Sequence, residues 1–250
     1  MTRSICLNAD IGELPGEAGR ALDGDILKVV TRCNIACGGH AGDEESMAAT
    51  LSMAAKAGVL VGAHPSYPDR EGFGRTRNSA SQADLATSLE AQVAGLIAIA
   101  GRIGTRVSHI KPHGALYNDA ARDPDLGALV AGLCRESRIP TLLGPPASEL
   151  ETAARKAGIA YIAEGFADRS YEPDGSLTPR SVPGSVFEDH ERQCAQVLSI
   201  VLDRRVKTRT GTFIELPVQT ICLHGDTPGA AANAARLRAA LDNRGIAVRP

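Results

Sequence analysis

Short β-branched or apolar runs alternate with helix-patterned stretches along all 250 residues, and this alternation restricts the fold more than any other feature of the chain. The runs predict strands over residues 4–7, 34–37, 59–63, 107–110, 141–143, 159–163, 212–216 and 220–223. Helical periodicity falls between them, over 25–32, 43–57, 81–101, 123–136, 148–157, 188–202 and 227–243. Start and stop signals agree: Asp43 precedes Glu44 and Glu45, Ser81 stands three residues before Asp84, and Gly58 closes the second helix. Strand then helix, repeated about seven times, describes a largely parallel sheet with crossover helices. No linker, charge block or internal repeat divides the chain, so residues 1–250 read as a single domain.

Polar residues decide between a closed and an open sheet. Of six histidines, His40, His64, His109, His113 and His224 sit on or just beyond a predicted strand, and only His190 lies on a helix. Asp10 follows the first strand, Lys111 the fourth, Asp168 and Arg169 the sixth, and Asp226 the last. With strands about 4.8 Å apart, an open sheet scatters these groups over roughly 30 Å. Closure brings them to one mouth, where α/β barrels build their sites. The expected fold is therefore an α/β (β/α) barrel of seven or eight mostly parallel strands; the alternative is a doubly wound open sheet with its site at the switch point.

Composition narrows the function. Twenty-seven Lys and Arg against 29 Asp and Glu leave a net charge of -2, which argues against nucleic-acid binding. Four Phe, four Tyr and no Trp leave few stacking platforms, which disfavours an extended polysaccharide groove. The longest apolar stretch, 93–100, falls short of the roughly 18 residues of a membrane span, and residues 1–10 lack a signal-peptide core, so the reading is a soluble cytoplasmic protein without a membrane partner. The six cysteines are expected reduced. Cys33, Cys37 and His40 form a C-x3-C-x2-H group, but no second pair at finger-like spacing completes a structural zinc site.

Five polar, Gly-rich strings carry the chemistry. LNADIGE places Asn8, Asp10 and Glu13 after the first strand, with Asp10 suited to act as a base, a metal ligand or a partner orienting a histidine. CNIACGGHAGD presents His40 beyond two glycines. GAHPSYPDREGFGR sets His64 at a strand end and then a shaped loop able to aim Arg70 or Arg75 at a carboxylate or phosphate. HIKPHGALYN supplies Lys111 and His113, followed by Tyr117 and Asn118; a buried lysine of this kind loses its proton or holds an oxyanion. The last feature joins Glu164, Asp168, Arg169 and Arg180, on a long rim with Gly175 as a hinge, to His224 and Asp226 before a helix opening at Thr227-Pro228. P-loop, nucleophile-elbow and complete dinucleotide fingerprints do not occur.

With these strings in order, the sequence resembles the LamB/YcsF family through nearly its whole length, from LNADIGE to EGFADRSY, DGSLTPR and ICLHGD. Two departures are Gly39, where the family usually carries Phe, and Leu14-Pro15-Gly16, where a shorter Gly-rich turn is usual. The resemblance implies ATP-dependent opening of the 5-oxoproline lactam to L-glutamate, with Mg accompanying the ATP, as one component of a 5-oxoprolinase working with subunits B and C. It also implies kinship with metal-dependent polysaccharide deacetylases and a seven-stranded barrel. By position, Asp10, His40, His64, Lys111, His113 and Asp226 match the family's strand-end polar set. The expected scheme has Lys111 and an arginine on a phosphorylated intermediate, Asp10 with His40 or His64 activating water, and His113 protonating the leaving nitrogen. Asn8, Glu13, Arg70, Arg75, Tyr117, Asn118, Asp168, Arg169, Arg180 and His224 are the expected substrate contacts. Two rivals stand beside it: a metal-dependent amidohydrolase or carbohydrate deacetylase with ligands from Asp10, His40, His64 and His113, and a non-catalytic substrate-binding subunit.

Overall fold

Ten strands and eight helices occur among the described residues, 3–77, 80–225 and 229–250 of a computed structural model. The strands are β1 (Ser4–Ile11), β2 (Arg32–Ala36), β3 (Leu60–His64), β4 (Val107–Ile110), β5 (Thr141–Gly144), β6 (Ala160–Phe166), β7 (Arg205–Lys207), β8 (Phe213–Glu215), β9 (Thr220–His224) and β10 (Ala247–Val248). The helices are α1 (Gly16–Leu27), α2 (Glu44–Ala57), α3 (Gln82–Ile103), α4 (Gly114–Ala120), α5 (Pro124–Glu136), α6 (Glu149–Lys156), α7 (His190–Asp203) and α8 (Ala230–Asp242). Strands β1 to β6 and β9 run parallel in that order, and β9 pairs back onto β1, so the sheet closes as a seven-stranded barrel. The open-sheet alternative is thereby excluded. β10 adds two residues beside the start of β1.

The barrel has seven strands because the expected strand at 212–216 leaves it. β8 pairs antiparallel with β7 as a separate ribbon. A barrel strand must be buried on both faces, as β1 is from Ile5 to Ile11. Phe-Ile-Glu offers only Ile214 inward, while Phe213 is 53% exposed. The first helix also differs, starting at Gly16 after Pro15 rather than at 25, because Val29, Val30 and Thr31 already lead into β2. α4 escapes sequence periodicity because it is only seven residues long.

Helix α3 is, by length and composition, apolar enough to cross a membrane, although its longest unbroken apolar run covers only 93–100. Its Leu85, Leu89, Val93, Leu96 and Ile99 are buried in the core. None of the six cysteines is in a disulfide.

Register brings the site together. Asp10 lies level with Asn34 on β2 and His224 on β9, and Ala36 is level with His64 on β3. Beneath this level the barrel interior carries a hydrogen-bonded polar network. Asn34 Nδ2 donates to Asn8 Oδ1 and Asp10 Oδ1 at 2.8 Å each, and Asn8 Nδ2 donates to Glu164 Oε1 and Thr220 Oγ1 at 2.9 Å each. Such a network holds the carboxylates above it in one arrangement.

Candidate active site

Lys111, one residue beyond β4, is 1% exposed and anchors the floor. Its Nζ lies 3.0 Å from Asp10 Oδ1, 3.0 Å from Glu164 Oε1 and 3.0 Å from Cys222 Sγ, so its three protons are taken. Burial disfavours the ammonium, but Asp10, Cys222 and Glu164 outweigh it and push the lysine well above its usual range. Burial likewise opposes ionisation of Asp10, yet His64 and Lys111 hold its carboxyl well below the usual range. Lys111 is thus a permanent cation that keeps Asp10 an anion. A lysine so enclosed has no proton left for an oxyanion, contrary to the sequence expectation.

Glu13, His40, His64 and His113 form a second group beside Asp10, their ligand-type atoms all within 4.8 Å of one another. The loop strain that builds it is local. Phe73 takes a left-handed φ of 54°, unusual for an aromatic residue, and so aims its carbonyl at His113 Nε2, 2.9 Å away. Across the group, His64 Nδ1 donates to the Lys111 carbonyl at 2.7 Å. Both outer nitrogens therefore carry protons, and the inner ones, His64 Nε2 and His113 Nδ1, face each other at 3.0 Å. Glu13 Oε1 is 3.1 Å from His40 Nε2, 3.3 Å from His113 Nδ1 and 3.8 Å from His64 Nε2. Burial lowers the pKa of His113, and pushes His40 down to about 4, favouring neutral rings. Burial opposes the Glu13 carboxylate, but the adjoining His113 and His40 rings hold it ionised.

This donor set fits a divalent cation. Ligands about 2.1 Å from a zinc ion at tetrahedral angles stand about 3.4 Å apart, close to the spacings here. Two facing imidazole lone pairs beside a carboxylate are repulsive unless a proton or a metal lies among them. Glu13 completes this group, and Asp10, held by Lys111, borders it with Oδ2 3.3 Å from His64 Nε2. Among the described residues a second cluster of metal-ligating atoms, Asp10, Cys222 and His224, has the Lys111 ammonium 3.0 Å from both Asp10 Oδ1 and Cys222 Sγ.

A third unit stands across the cavity. Both Asp168 carboxylate oxygens accept from His224 Nδ1, at 2.9 and 2.8 Å, leaving Nε2 3.9 Å from Asp10 Oδ2. The imidazole stacks on Phe166 at 5.4 Å between centroids. Burial disfavours the imidazolium, but Asp168 outweighs it and raises the His224 pKa.

These units open into a cavity of about 530 Å³ lined by Asp10, Glu13, His64, Lys111, His113 and His224, with Arg75, Tyr117, Asn118, Arg169 and Arg180 on its walls. His40 lies behind, its ring stacked on His113 at 3.6 Å. Asn8 is fully buried beneath and Asp168 stands behind His224, so both position other groups rather than reach a substrate. Arg70 is exposed and donates to the Gly42 carbonyl, pinning one loop to the next outside the cavity lining. Asp226 and the Thr227-Pro228 helix start lie outside the described residues. Glu164, expected as a rim charge, points inward instead; the two-residue period of β6, which aligns it with Phe166, is the sequence signal for that. The Phe73 carbonyl has no such signal.

Gly39 has a specific cause. A Cβ there would collide with Ser66 Oγ and the Gln92 amide, which fill the space beside His40. Gln92 itself bonds Ser66 N and O at 3.0 Å each.

A parallel barrel with carboxylates and histidines at its strand C-terminal ends has the layout of a hydrolytic (β/α)-barrel enzyme. The LamB/YcsF family model matches residues 5–250, and the chain belongs to that family. It is 46% identical to the A subunit of 5-oxoprolinase from Methylococcus capsulatus over 99% of this chain and 96% of that one. The corresponding protein of Chloroflexus aggregans is 47% identical, with 98% of each chain covered. Among solved structures, a lactam utilization protein from Thermus thermophilus superposes with a TM-score of 0.88 at 34% identity, covering 98% of this chain and 99% of that one. A peptidoglycan deacetylase from Bacillus subtilis has a TM-score of 0.50 at 12% identity, over 99% and 87% of the two chains, a likeness of fold alone.

Proposed function

We propose that this chain is one component of a cytoplasmic, ATP-dependent 5-oxoprolinase, which opens the 5-oxoproline lactam to L-glutamate together with B and C subunits. Full-length identity of 46% and 47% to two proteins that bear the name of the 5-oxoprolinase A subunit carries the reading. A lactam carbonyl is a poor electrophile, and phosphorylation of its oxygen by ATP, accompanied by Mg, makes it reactive. The chain has no P-loop string, so this reading assigns ATP binding to the partners. Here the activated lactam meets Asp10, held ionised by Lys111 and placed 3.3 Å from His64 to take a proton from water. Both ring nitrogens of His113 are engaged, so protonation of the leaving nitrogen passes to His224, whose Nε2 faces the cavity while Asp168 orients the ring. C–N cleavage leaves the new carboxyl as an acyl phosphate, and a second water releases the phosphate to give L-glutamate.

The facing nitrogens of His64 and His113 favour a second reading, a metal-dependent amide hydrolase. Glu13, His40, His64 and His113 would hold the cation, which supplies Lewis-acid polarisation of a carbonyl.

Glutamate release from 5-oxoproline and ATP, assayed with this chain alone and then with B and C subunits, tests the first reading. Release only in the complete mixture, abolished by Asp10→Asn, is expected; full release without this chain refutes it. Release without ATP, lost on chelation and restored by zinc, moves the conclusion to the second reading. A mixture in which pocket variants lose ligand binding but leave the partners' ring-opening rate unchanged gives this chain a binding role only.

A further inference from the structure

Arg169 is a buried cation that forms no ion pair among the described residues. Its side chain lines the cavity, and the residue is only 7% exposed. Its hydrogen bonds run to backbone carbonyls, from Nε to Ser185 O at 3.4 Å and from Nη2 to Thr178 O at 2.6 Å. Asp168, its neighbour in sequence, has both carboxylate oxygens on His224. Burial and then the repulsion of Arg180, offset only in part by Asp168, bring the guanidinium down to about 10, so it stays charged at neutral pH. A buried cation without a paired anion is costly, and costs of this kind are retained where a ligand supplies the missing charge.

We propose that Arg169 is the subsite for the carboxylate of a small lactam acid. The inference rests on the proposed function and adds the polarity with which substrate lies in the site. In 5-oxoproline the ring nitrogen stands between the lactam carbonyl carbon and the carbon that bears the carboxylate. Three groups that line the one cavity match these three positions: Asp10 for the water that attacks the carbonyl carbon, His224 for the nitrogen, and Arg169 for the carboxylate. The guanidinium fork suits a two-oxygen anion, and its rigid tether to two carbonyls orients it before substrate arrives. The subsite thus selects lactams that carry an adjacent carboxylate over the bare ring.

The test compares 5-oxoproline with 2-pyrrolidinone, the same ring lacking the carboxylate, by calorimetric binding to the full chain and by kcat and KM in the assembled complex. Wild type is expected to prefer the acid at least about tenfold, Arg169→Gln to lose that preference through KM rather than kcat, and Arg169→Lys to restore part of it. Equal binding of acid and bare ring by wild type, including no binding of either, overturns the inference without any variant. So does an Arg169→Gln protein that melts like wild type and keeps the preference. A complex that releases no glutamate while the binding preference stands counts against the functional reading alone.

Discussion

Replacing Lys111 with Met is the most direct probe of the barrel floor. The substitution keeps the volume of the stem and deletes the ammonium that lies 3.0 Å from both Asp10 Oδ1 and Glu164 Oε1. Those side chains are 5% and 0% exposed, so water cannot replace the lost partner. Breaking a buried pair in this way costs about 3–5 kcal/mol, a large part of the stability of an ordinary domain. Guanidinium unfolding followed by circular dichroism should show the midpoint fall with an unchanged slope. Adding Glu164→Gln removes one of the two stranded carboxylates, so the double variant should recover roughly half of the loss. A Lys111→Met protein within about 1 kcal/mol of wild type, or a double variant no more stable than Lys111→Met alone, would refute the view that Lys111 is a buried counter-ion.

Three further outcomes follow from single side chains. Burial raises the carboxyl of Asp23, which accepts from Gly12 N–H at 2.9 Å, from 3.8 to about 6. The folded state then holds this proton more tightly than the unfolded chain, so the contribution is complete below about pH 4 and is lost as pH rises through about 6, a change of about 3 kcal/mol. Asp23→Asn, which mimics the protonated form, should raise the melting temperature at pH 8 and leave it unaltered below pH 4; the reverse dependence refutes the assignment. Asp168→Asn removes the anion that overcomes burial at His224, so the imidazole should titrate below its ordinary 6.5 instead of above it, as followed by ring NMR. Gly39→Ala should destabilise by about 1–3 kcal/mol through collision with Ser66 and Gln92, and Gln92→Ala in the same chain should relieve it, in a thermal-melt cycle.

Much of this is readable in one dimension. Asp10, Glu13, His64, Lys111, His113 and His224 are short-range facts, polar residues placed where apolar runs end, and a parallel barrel carries every such end to one mouth. The partition of labour among them is not readable. Lys111 and His113 look reactive as isolated letters; the contacts that engage Lys111 Nζ and both His113 nitrogens come from Asp10, Glu164, Cys222, His64 and the Phe73 carbonyl, as far as 111 residues away. Arg70 and Arg75 share a loop and a chemistry, yet only Arg75 lines the cavity, because Arg70 is captured by Gly42.

The order of strands and helices, the polar strand ends and the family strings belong to the amino-acid sequence, because hydrophobic period and turn chemistry act over a few residues. Barrel closure at seven strands, the grouping of Glu13 with the histidines, and the absence of an ion pair to Arg169 among the described residues were settled only in three dimensions. Each is a contest among burial, charge and hydrogen bonding between groups remote in the chain, and such a contest is decided by distances that a linear sequence does not contain.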